Sequence, residues 1–441
     1  MRQAIRRFVP KRWFGVYHGL VSELASFVYR HPGRDLIVIG VTGTSGKTTV
    51  SLLLQAILER AGIPSAAATT AQFVIRDRTW VNDTKMTMLG RFQLQHFLSR
   101  ARAARCKYAV VETTSEGLAQ NRHRGIDYDL AVLTNLTPEH IESHGSFEAY
   151  RKAKEKLFHG LTLSARKSNV PKTIIVNADD PNASAFLRHA ADRYLTFSLK
   201  RKRQENAEPV LASHIELGRT GSSFVLEYGD GAQKVITHLL GRINVENSLA
   251  AAAVACAIGL PLTDIAEGLA AVQGLPGRLE FLEDGGVTVI VDYAFHQKAM
   301  DELYAVVEQL PHRQIIHVLG ATGGGRDKAK RPVLGRIAGE RADVVIVTNE
   351  DPYDEDPFQI MDDVLQGVLQ IGGKKLDDNV FRIYDRRSAI TKAVELARSG
   401  DIVLVTGKGS EQAIVVAGGK KVAWDDREVI KAVLAQRFGA A

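Results

Sequence analysis

The sequence predicts an α/β fold: a central domain whose mostly parallel sheet carries a phosphate-binding loop, followed by a Rossmann-like α/β domain. Two observations carry this reading. From Asp35 onward, apolar runs of strand length alternate with helical stretches, the pattern of a parallel sheet wrapped by helices. The first run, Leu36-Ile37-Val38-Ile39-Gly40-Val41, leads directly into Thr42-Gly43-Thr44-Ser45-Gly46-Lys47-Thr48-Thr49. Glycines in such a strand-to-helix turn let backbone N–H groups approach phosphate oxygens, a lysine supplies a cation for the β/γ-phosphates, and a threonine hydroxyl suits Mg²⁺. Val41 stands where the usual pattern places its first glycine, so the loop is a shortened variant. Gly43, Thr44, Ser45, Gly46, Lys47, Thr48 and Thr49 are therefore candidate nucleotide contacts.

After the loop, a helix is expected through Val50–Ala61, with strands at Tyr108–Glu112, Leu130–Thr134 and Thr173–Asn177. Residues 200–234 read as a polar, less regular stretch with a strand-like Ser223–Tyr228, and an Ala-rich helix follows over Asn247–Ile258. Beyond Pro276-Gly277-Arg278 a second alternating series begins, with strands at Val287–Val291, Ile315–Leu319, Val344–Thr348, Val380–Tyr384 and Ile402–Thr406. The expected division is a basic amino-terminal segment at 1–34, an ATP-binding domain at 35–279 and a carboxy-terminal domain at 280–441.

At 441 residues the chain exceeds what a single core usually serves. Its two cysteines, Cys106 and Cys256, lie in separate apolar segments without metal-ligand spacing and read as buried thiols of a cytoplasmic protein. The net charge of +7 is dispersed, and no interleaved aromatic-basic motif points to nucleic acid, so anionic small substrates account for the sign. Arg2, Arg6, Arg7, Lys11 and Arg12 precede the apolar-rich stretch Trp13–Tyr29, which holds His18 and Glu23. This is a basic amphipathic helix, too polar for a membrane span. It either packs on its own domain or touches an anionic membrane surface.

Glu112 closes one predicted strand, and Thr134-Asn135-Leu136-Thr137-Pro138-Glu139-His140 closes another, so both should open on the sheet edge that holds the phosphate loop. A carboxylate there is a hard-cation ligand, and His140 offers a nitrogen to a second metal. Asn244 and Asn247 offer amides able to donate to and accept from a purine edge, or alternatively a helix cap.

Taken in order, these motifs resemble the Mur ligase superfamily, and within it the tripeptide-synthetase (MurE) type. The likeness runs from about Asp35 to the end. It rests on the loop above, Glu112-Thr113-Thr114-Ser115, Leu118-Ala119-Gln120-Asn121-Arg122, Thr134 to His140, Tyr150-Arg151-Lys152-Ala153-Lys154 and Asn244-Val245-Glu246-Asn247. Pro276-Gly277-Arg278-Leu279-Glu280, Asp292-Tyr293-Ala294 and Gly325-Arg326-Asp327-Lys328-Ala329-Lys330-Arg331-Pro332 complete it. The resemblance implies an ATP- and Mg²⁺-dependent amide ligase of peptidoglycan-precursor synthesis that works through an acyl phosphate. It implies that Thr48, Glu112, His140 and a carbamylated Lys154 serve the metals. It further implies that Asn244 and Asn247 read adenine, Asp292 holds ribose, and Arg278 and Lys330 reach nucleotide or acyl phosphate. A carbamate at Lys154 is chemically reasonable, because a bare ammonium beside divalent cations would be repelled. Arg122 and Arg326 are expected at the substrates, and Glu350, Asp351, Tyr353, Gly407 and Glu411 at the incoming amino acid.

The chain also departs from the resemblance. About 35 residues precede the first strand, where tripeptide synthetases carry a uridine-binding domain, so a partner protein or another acceptor enters consideration. Thr114-Ser115-Glu116 replaces Ser-Ser-His, and Phe295 fills a histidine place with His296 one position later. At the amino-acid pocket, Glu350-Asp351-Pro352-Tyr353 replaces Asp-Asn-Pro-Arg, and Gly407-Lys408-Gly409-Ser410-Glu411 replaces Gly-Lys-Gly-His-Glu. The missing arginine predicts preference for a side chain ending in a cation, such as L-lysine, unless Arg386 or Lys408 fills the gap. The rival readings are a ligase of folylpolyglutamate or cyanophycin type and a partner-dependent subunit that only binds ATP. The stretch Gly325 to Pro332 opposes the first, and joint presence of Lys47, Glu112, His140 and Lys154 opposes the second.

Overall fold

A computed structural model describes residues 11–139, 144–325 and 328–439, with side chains from residue 17 onward. Its first sheet has eleven strands in the order β11-β10-β9-β8-β7-β6-β1-β5-β2-β3-β4. The parallel centre comprises β1 (Ile37–Thr42), β2 (Ser65–Ala68), β5 (Tyr108–Glu112), β6 (Tyr128–Leu133), β7 (Thr173–Asn177), β8 (Arg193–Ser198) and β9 (Glu208–Leu217). Antiparallel strands flank it: β3 (Gln72–Ile75) and β4 (Arg78–Val81) on one side, β10 (Ser222–Tyr228) and β11 (Gly231–Thr237) on the other.

The polar stretch after residue 200 is therefore more regular than its composition suggests. Its alternating strands β9 to β11 bury Phe224, Leu226 and Val235 on one face and expose polar side chains on the other, as an edge sheet can. The short strands β3 and β4 were not among the expected elements, although Phe73-Val74-Ile75 and Thr79-Trp80-Val81 are strand-forming residues.

One face of this sheet is covered by the helices Lys47–Arg60, Arg242–Ala257 and Leu262–Ala271. The run Ala250–Ala255 is fully buried, and its small side chains let the helix lie deep against the strands. Gly268 has a packing reason: a Cβ there would meet the Ile57 Cα at 2.5 Å. The helices Arg91–Ala103 and Phe147–Gly160 cover the other face. Cys106 and Cys256 are buried free thiols, as expected.

The second sheet has six strands in the order β12-β13-β17-β14-β15-β16. β12 (Glu280–Asp284) runs antiparallel to β13 (Val287–Asp292), while β14 (Ile315–Leu319), β15 (Val344–Thr348), β16 (Val380–Ile383) and β17 (Ile402–Thr406) are parallel to their neighbours. A hairpin of β18 (Ala413–Val416) and β19 (Lys420–Ala423) stands apart. Helices on both faces enclose two further apolar clusters.

The amino-terminal helix Lys11–Val28 packs on the first sheet's flank: Ser22 Oγ donates to the Asn121 carbonyl at 2.8 Å and Ser26 Oγ to that of Gly125 at 2.8 Å. No helix among the described residues is long and apolar enough to cross a membrane.

Candidate active site

The turn from β1 into the helix Lys47–Arg60 has the form its sequence predicts. Gly46 caps the helix at φ +81°, a left-handed conformation that favours glycine, and a Cβ there would meet Asn247 Oδ1 at 2.2 Å. At Gly43 a Cβ would meet Thr134 Oγ1 at 1.8 Å. The loop is tied down by Ser45 N donating to Asn135 Oδ1 at 3.0 Å and by Thr134 Oγ1 donating to the Ser45 carbonyl at 2.6 Å. Its backbone is thus held open at a helix N-terminus, the setting that receives phosphate.

Two lysines converge on this loop. Lys47 Nζ donates to the carbonyls of Gly43 at 3.1 Å and Thr44 at 2.9 Å. Lys154, from the helix Phe147–Gly160, donates to the same Gly43 carbonyl at 2.7 Å while its ammonium lies 4.5 Å from the Tyr150 ring centroid. Burial lowers the pKa of Lys47, with Arg278 adding to the effect and Glu112 and Glu139 opposing it. Burial and then the Lys47 charge drive Lys154 well below the ordinary lysine range, against Glu139. Lys154 is 1% exposed, so its side chain is enclosed by the protein.

Carboxylates stand at the ends of the neighbouring strands, as the topology predicts. Glu112, closing β5, accepts from Thr48 Oγ1 at 2.9 Å, Thr70 N at 2.7 Å and Thr70 Oγ1 at 2.9 Å, all at Oε2. Glu139, beyond β6, is buried, and its Oε1 has no hydrogen-bond partner. A hydroxyl, an ordered carboxylate and an unsatisfied carboxylate oxygen beside a phosphate loop form a donor set of hard oxygens, which fits Mg²⁺. No group of three or more His, Cys, Asp or Glu side chains fit to hold a metal occurs among the described residues, so phosphate oxygens and water would complete such a shell. His140 lies outside the described residues.

The second sheet reaches over this edge. Arg278 Nη2 lies 3.4 Å from Thr48 Oγ1, and its guanidinium covers the Tyr293 ring at 4.5 Å. Asp292, closing β13, accepts from Leu279 N at 2.8 Å, and burial raises its pKa against Arg278. His296 caps the helix Gln297–Val307, accepting from Ala299 N, and its Nε2 sits 3.4 Å from Ser45 Oγ. Burial, then Lys330 and Lys47, lower its pKa to about 3, so the ring is neutral. The histidine displaced by one position therefore still reaches the phosphate loop. Lys330 opens the helix Lys330–Arg341, its ammonium 4.9 Å from the Phe295 ring centroid.

Asn244 and Asn247 are buried on the helix Arg242–Ala257, where Asn247 Nδ2 donates to Asn244 Oδ1 at 3.2 Å. Gly241 holds the capping position, so neither asparagine is the cap that was the alternative. Arg122 lines the same cleft and donates to the Met88 carbonyl at 2.7 Å. The cleft measures 520 Å³ and is bounded by both sheets' loops.

The Mur ligase middle domain matches residues 41–255 and the Mur ligase glutamate ligase domain residues 277–409. A UDP-N-acetylmuramyl-tripeptide synthetase from Roseiflexus sp. is 39% identical over 94% of this chain and 82% of its own. The chain belongs to the Mur ligase family. A UDP-N-acetylmuramoyl-L-alanyl-D-glutamate–2,6-diaminopimelate ligase from Geobacillus kaustophilus is 36% identical over 95% of this chain and 82% of its own. A solved structure of a ligase of that description superposes with a TM-score of 0.59 at 31% identity, covering 91% of this chain and 79% of that one. The folylpolyglutamate synthase of Mycobacterium tuberculosis superposes at 0.70 with 18% identity over 89% and 92%, a likeness of fold alone. As a Mur ligase, the protein is an ATP-dependent ligase that forms amide bonds.

In this Mur ligase the far end of the cleft is lined by acids. Glu350 follows β15 and is 3% exposed; Thr322 Oγ1 donates to its Oε1 at 2.8 Å, while Oε2 has no partner. Burial, reinforced by Asp351, pushes its carboxyl above the ordinary range. Lys408 is fully buried between Asp351 at 2.9 Å and Glu411 at 2.8 Å. Burial lowers its pKa, but Glu411, Asp351 and Glu350 outweigh burial and hold the ammonium charged. Tyr353 adopts φ +52° at the cleft wall, and Gly407 has no room for a Cβ, which would meet Glu350 Oε2 at 2.3 Å.

Lys408 thus occupies the acid cluster, as one alternative had it. Arg386 does not: it is engaged bidentately by Asp426 at 2.8 and 2.7 Å. The unforeseen member is Lys85, from the segment after β4, whose ammonium pairs with Asp351 and lies 3.3 Å from Glu411. No motif marks it, because its role arises only where the two sheets meet. Thr70, a second unforeseen contact, reaches Glu112 from the short turn between β2 and β3. Arg326 lies outside the described residues.

Proposed function

We propose that this Mur ligase joins a diamino acid, through its α-amine, to the carboxylate of a muramyl-peptide-like acceptor in peptidoglycan-precursor synthesis. The carrying observation is the acid-lined end of the cleft, where Asp351 and Glu411 already hold the ammonium of a lysine side chain and Glu350 Oε2 remains unpaired. Three carboxyl groups, Glu350, Asp351 and Glu411, stand against two lysines, Lys85 and Lys408, so carboxyl oxygen remains for an incoming ammonium. Diaminopimelate is the amino acid in the names of several relatives. Tyr353 in the place of an arginine, and the acids beside it, favour L-lysine or a similar diamino acid over meso-diaminopimelate.

In this reading an acceptor carboxylate oxygen attacks the γ-phosphorus of ATP and ADP departs. The amine of the amino acid then attacks the acyl-phosphate carbonyl, phosphate leaves with the C–O bond electrons, and the amine sheds its proton. The loop from Gly43 to Thr49 and Lys47 hold the phosphates, Asn244 and Asn247 the base, and Asp292 the ribose. Arg278 and Lys330 stabilise charge on the transferring phosphoryl group. Mg²⁺, held by Thr48, Glu112, His140 and Lys154 as its carbamate, would neutralise phosphate charge. A neutral Lys154 amine suits that modification: its lone pair bonds to the carbon of CO₂, and loss of a proton leaves an anionic carbamate. Arg122 is assigned to the acceptor, and Arg326, by its motif alone, to the amino acid's carboxylate. The two-domain division at residues 279/280, cytoplasmic residence and small-molecule substrates without nucleic acid complete the proposal, and a partner protein able to present the acceptor belongs to it.

Acceptor-dependent ADP release, measured across UDP-linked and nucleotide-free muropeptides and across folate and cyanophycin-like peptides, tests this reading. Release with a muropeptide and a diamino acid, abolished in Lys47→Ala, is expected. Release only with a folate or cyanophycin-like acceptor would overturn it in favour of the rival ligase type, and ATP binding with no release under any condition would favour a binding subunit.

A further inference from the structure

The amino-terminal helix Lys11–Val28 is apolar on the wrong side. Gly19, Ser22, Ala25 and Ser26 face the protein, and a Cβ at Gly19 would meet Arg124 Nη1 at 2.8 Å. Yet Tyr17, Leu20, Leu24, Phe27 and Val28 are 60%, 66%, 54%, 70% and 56% exposed. At the angular step of an α-helix these five share an arc of roughly 100° opposite the packed face. Scattered exposed apolar residues need no explanation, but a continuous stripe of large ones does.

Charge identifies what covers it. Arg2, Arg6, Arg7, Lys11 and Arg12 precede the stripe, and the first acid of the chain is Glu23. A protein partner seated here would have little to grip, since specific interfaces use about 20–30 residues a side. A narrow apolar stripe preceded by bases is instead the composition of a helix that lies in the boundary of an anionic bilayer, its apolar side chains among the acyl chains and its cations among the headgroups.

We propose that this helix seats the protein on an anionic lipid surface. The contact is independent of the reaction chemistry. Its placement is nonetheless close to the site: Ser22 bonds the Asn121 carbonyl, and the next residue, Arg122, lines the cleft. The helix therefore stands between a bilayer on its outer side and that wall of the cleft.

The test is sedimentation of the full chain with vesicles of phosphatidylcholine alone or mixed with phosphatidylglycerol, at low and at raised salt. About tenfold or greater enrichment on the anionic vesicles, lost at raised salt, is expected. The paired variant Leu20→Ser/Phe27→Ser alters only exposed side chains; it should lose vesicle binding while keeping wild-type ADP release and melting temperature. Full-length protein that ignores anionic vesicles at low salt overturns the proposal, as does undiminished binding by the variant. A wild-type dimer in sedimentation velocity that the variant abolishes, without vesicle binding by either, would assign the stripe to a second copy instead.

Discussion

Lys154 and Lys47 donate to one and the same carbonyl, that of Gly43, at 2.7 and 3.1 Å. Two ammonium groups on one acceptor in a buried site repel each other, and the pair is relieved when Lys154 is neutral. Burial, and then the Lys47 charge, therefore both push the less exposed lysine towards its amine form.

Lys154→Ala is expected to lower turnover by a hundredfold or more, roughly 3 kcal/mol of transition-state stabilisation. Raised bicarbonate should not restore it, whereas a short carboxylic acid should do so in part by supplying a carboxylate in the cavity. Steady-state ADP release checks both, and full activity of the variant would remove Lys154 from the machinery.

Lys85 should compete with substrate for Asp351 and Glu411. In Lys85→Met the apparent KM for the diamino acid should fall, by about tenfold if one screened ion pair is removed from competition, with KM for ATP unchanged. A raised KM for the amino acid would instead make Lys85 a contact to a substrate carboxylate.

Tyr353 carries the choice between amino acids. With L-lysine and meso-diaminopimelate at equal concentration, product mass should show L-lysine ahead by about a hundredfold, the worth of a desolvated charge pair of about 3 kcal/mol. Tyr353→Arg should move the ratio towards meso-diaminopimelate. Predominant incorporation of meso-diaminopimelate by the wild type would refute the preference.

Acid stability should depend on histidines kept neutral by burial. His317 bonds Tyr304 Oη at 2.7 Å and Thr406 Oγ1 at 2.9 Å, and burial followed by Arg386 lowers its pKa to about 3. The unfolded chain binds a proton at about pH 6.5 that the folded protein refuses, so stability falls as pH drops from 6.5 towards 3. From pH 6.5 to 5 this histidine costs about 2 kcal/mol. His317→Gln should lose some stability at neutral pH but show a shallower acid dependence, read from urea midpoints at pH 7 and pH 5. An unchanged slope would exclude His317 as the source.

Much of the site is legible in the amino-acid sequence. The loop from Gly43 to Thr49 and Glu112 at the end of β5 lie where local pattern and sheet topology put them, because strand ends are local features; the Ala-rich helix instead begins at Arg242, ahead of the expected Asn247, and so takes in Asn244. Lys85 and Thr70 were not legible. Thr70 sits in the short turn between β2 and β3 and Lys85 in the irregular segment between β4 and the helix Arg91–Ala103, and what they touch is supplied by segments distant in sequence. The strands β9 to β11 were hidden for a different reason: a half-solvated edge sheet needs only every second residue apolar, so its composition reads as polar.

The pairing of Lys85 with Asp351 also bears on how freely such domains can be exchanged. The pocket's acids come from one unit and one of its bases from the other. A chimaera that receives a relative's carboxy-terminal domain would therefore inherit half of an electrostatic match, and its choice of amino acid would belong to neither parent until the segment around Lys85 was exchanged as well.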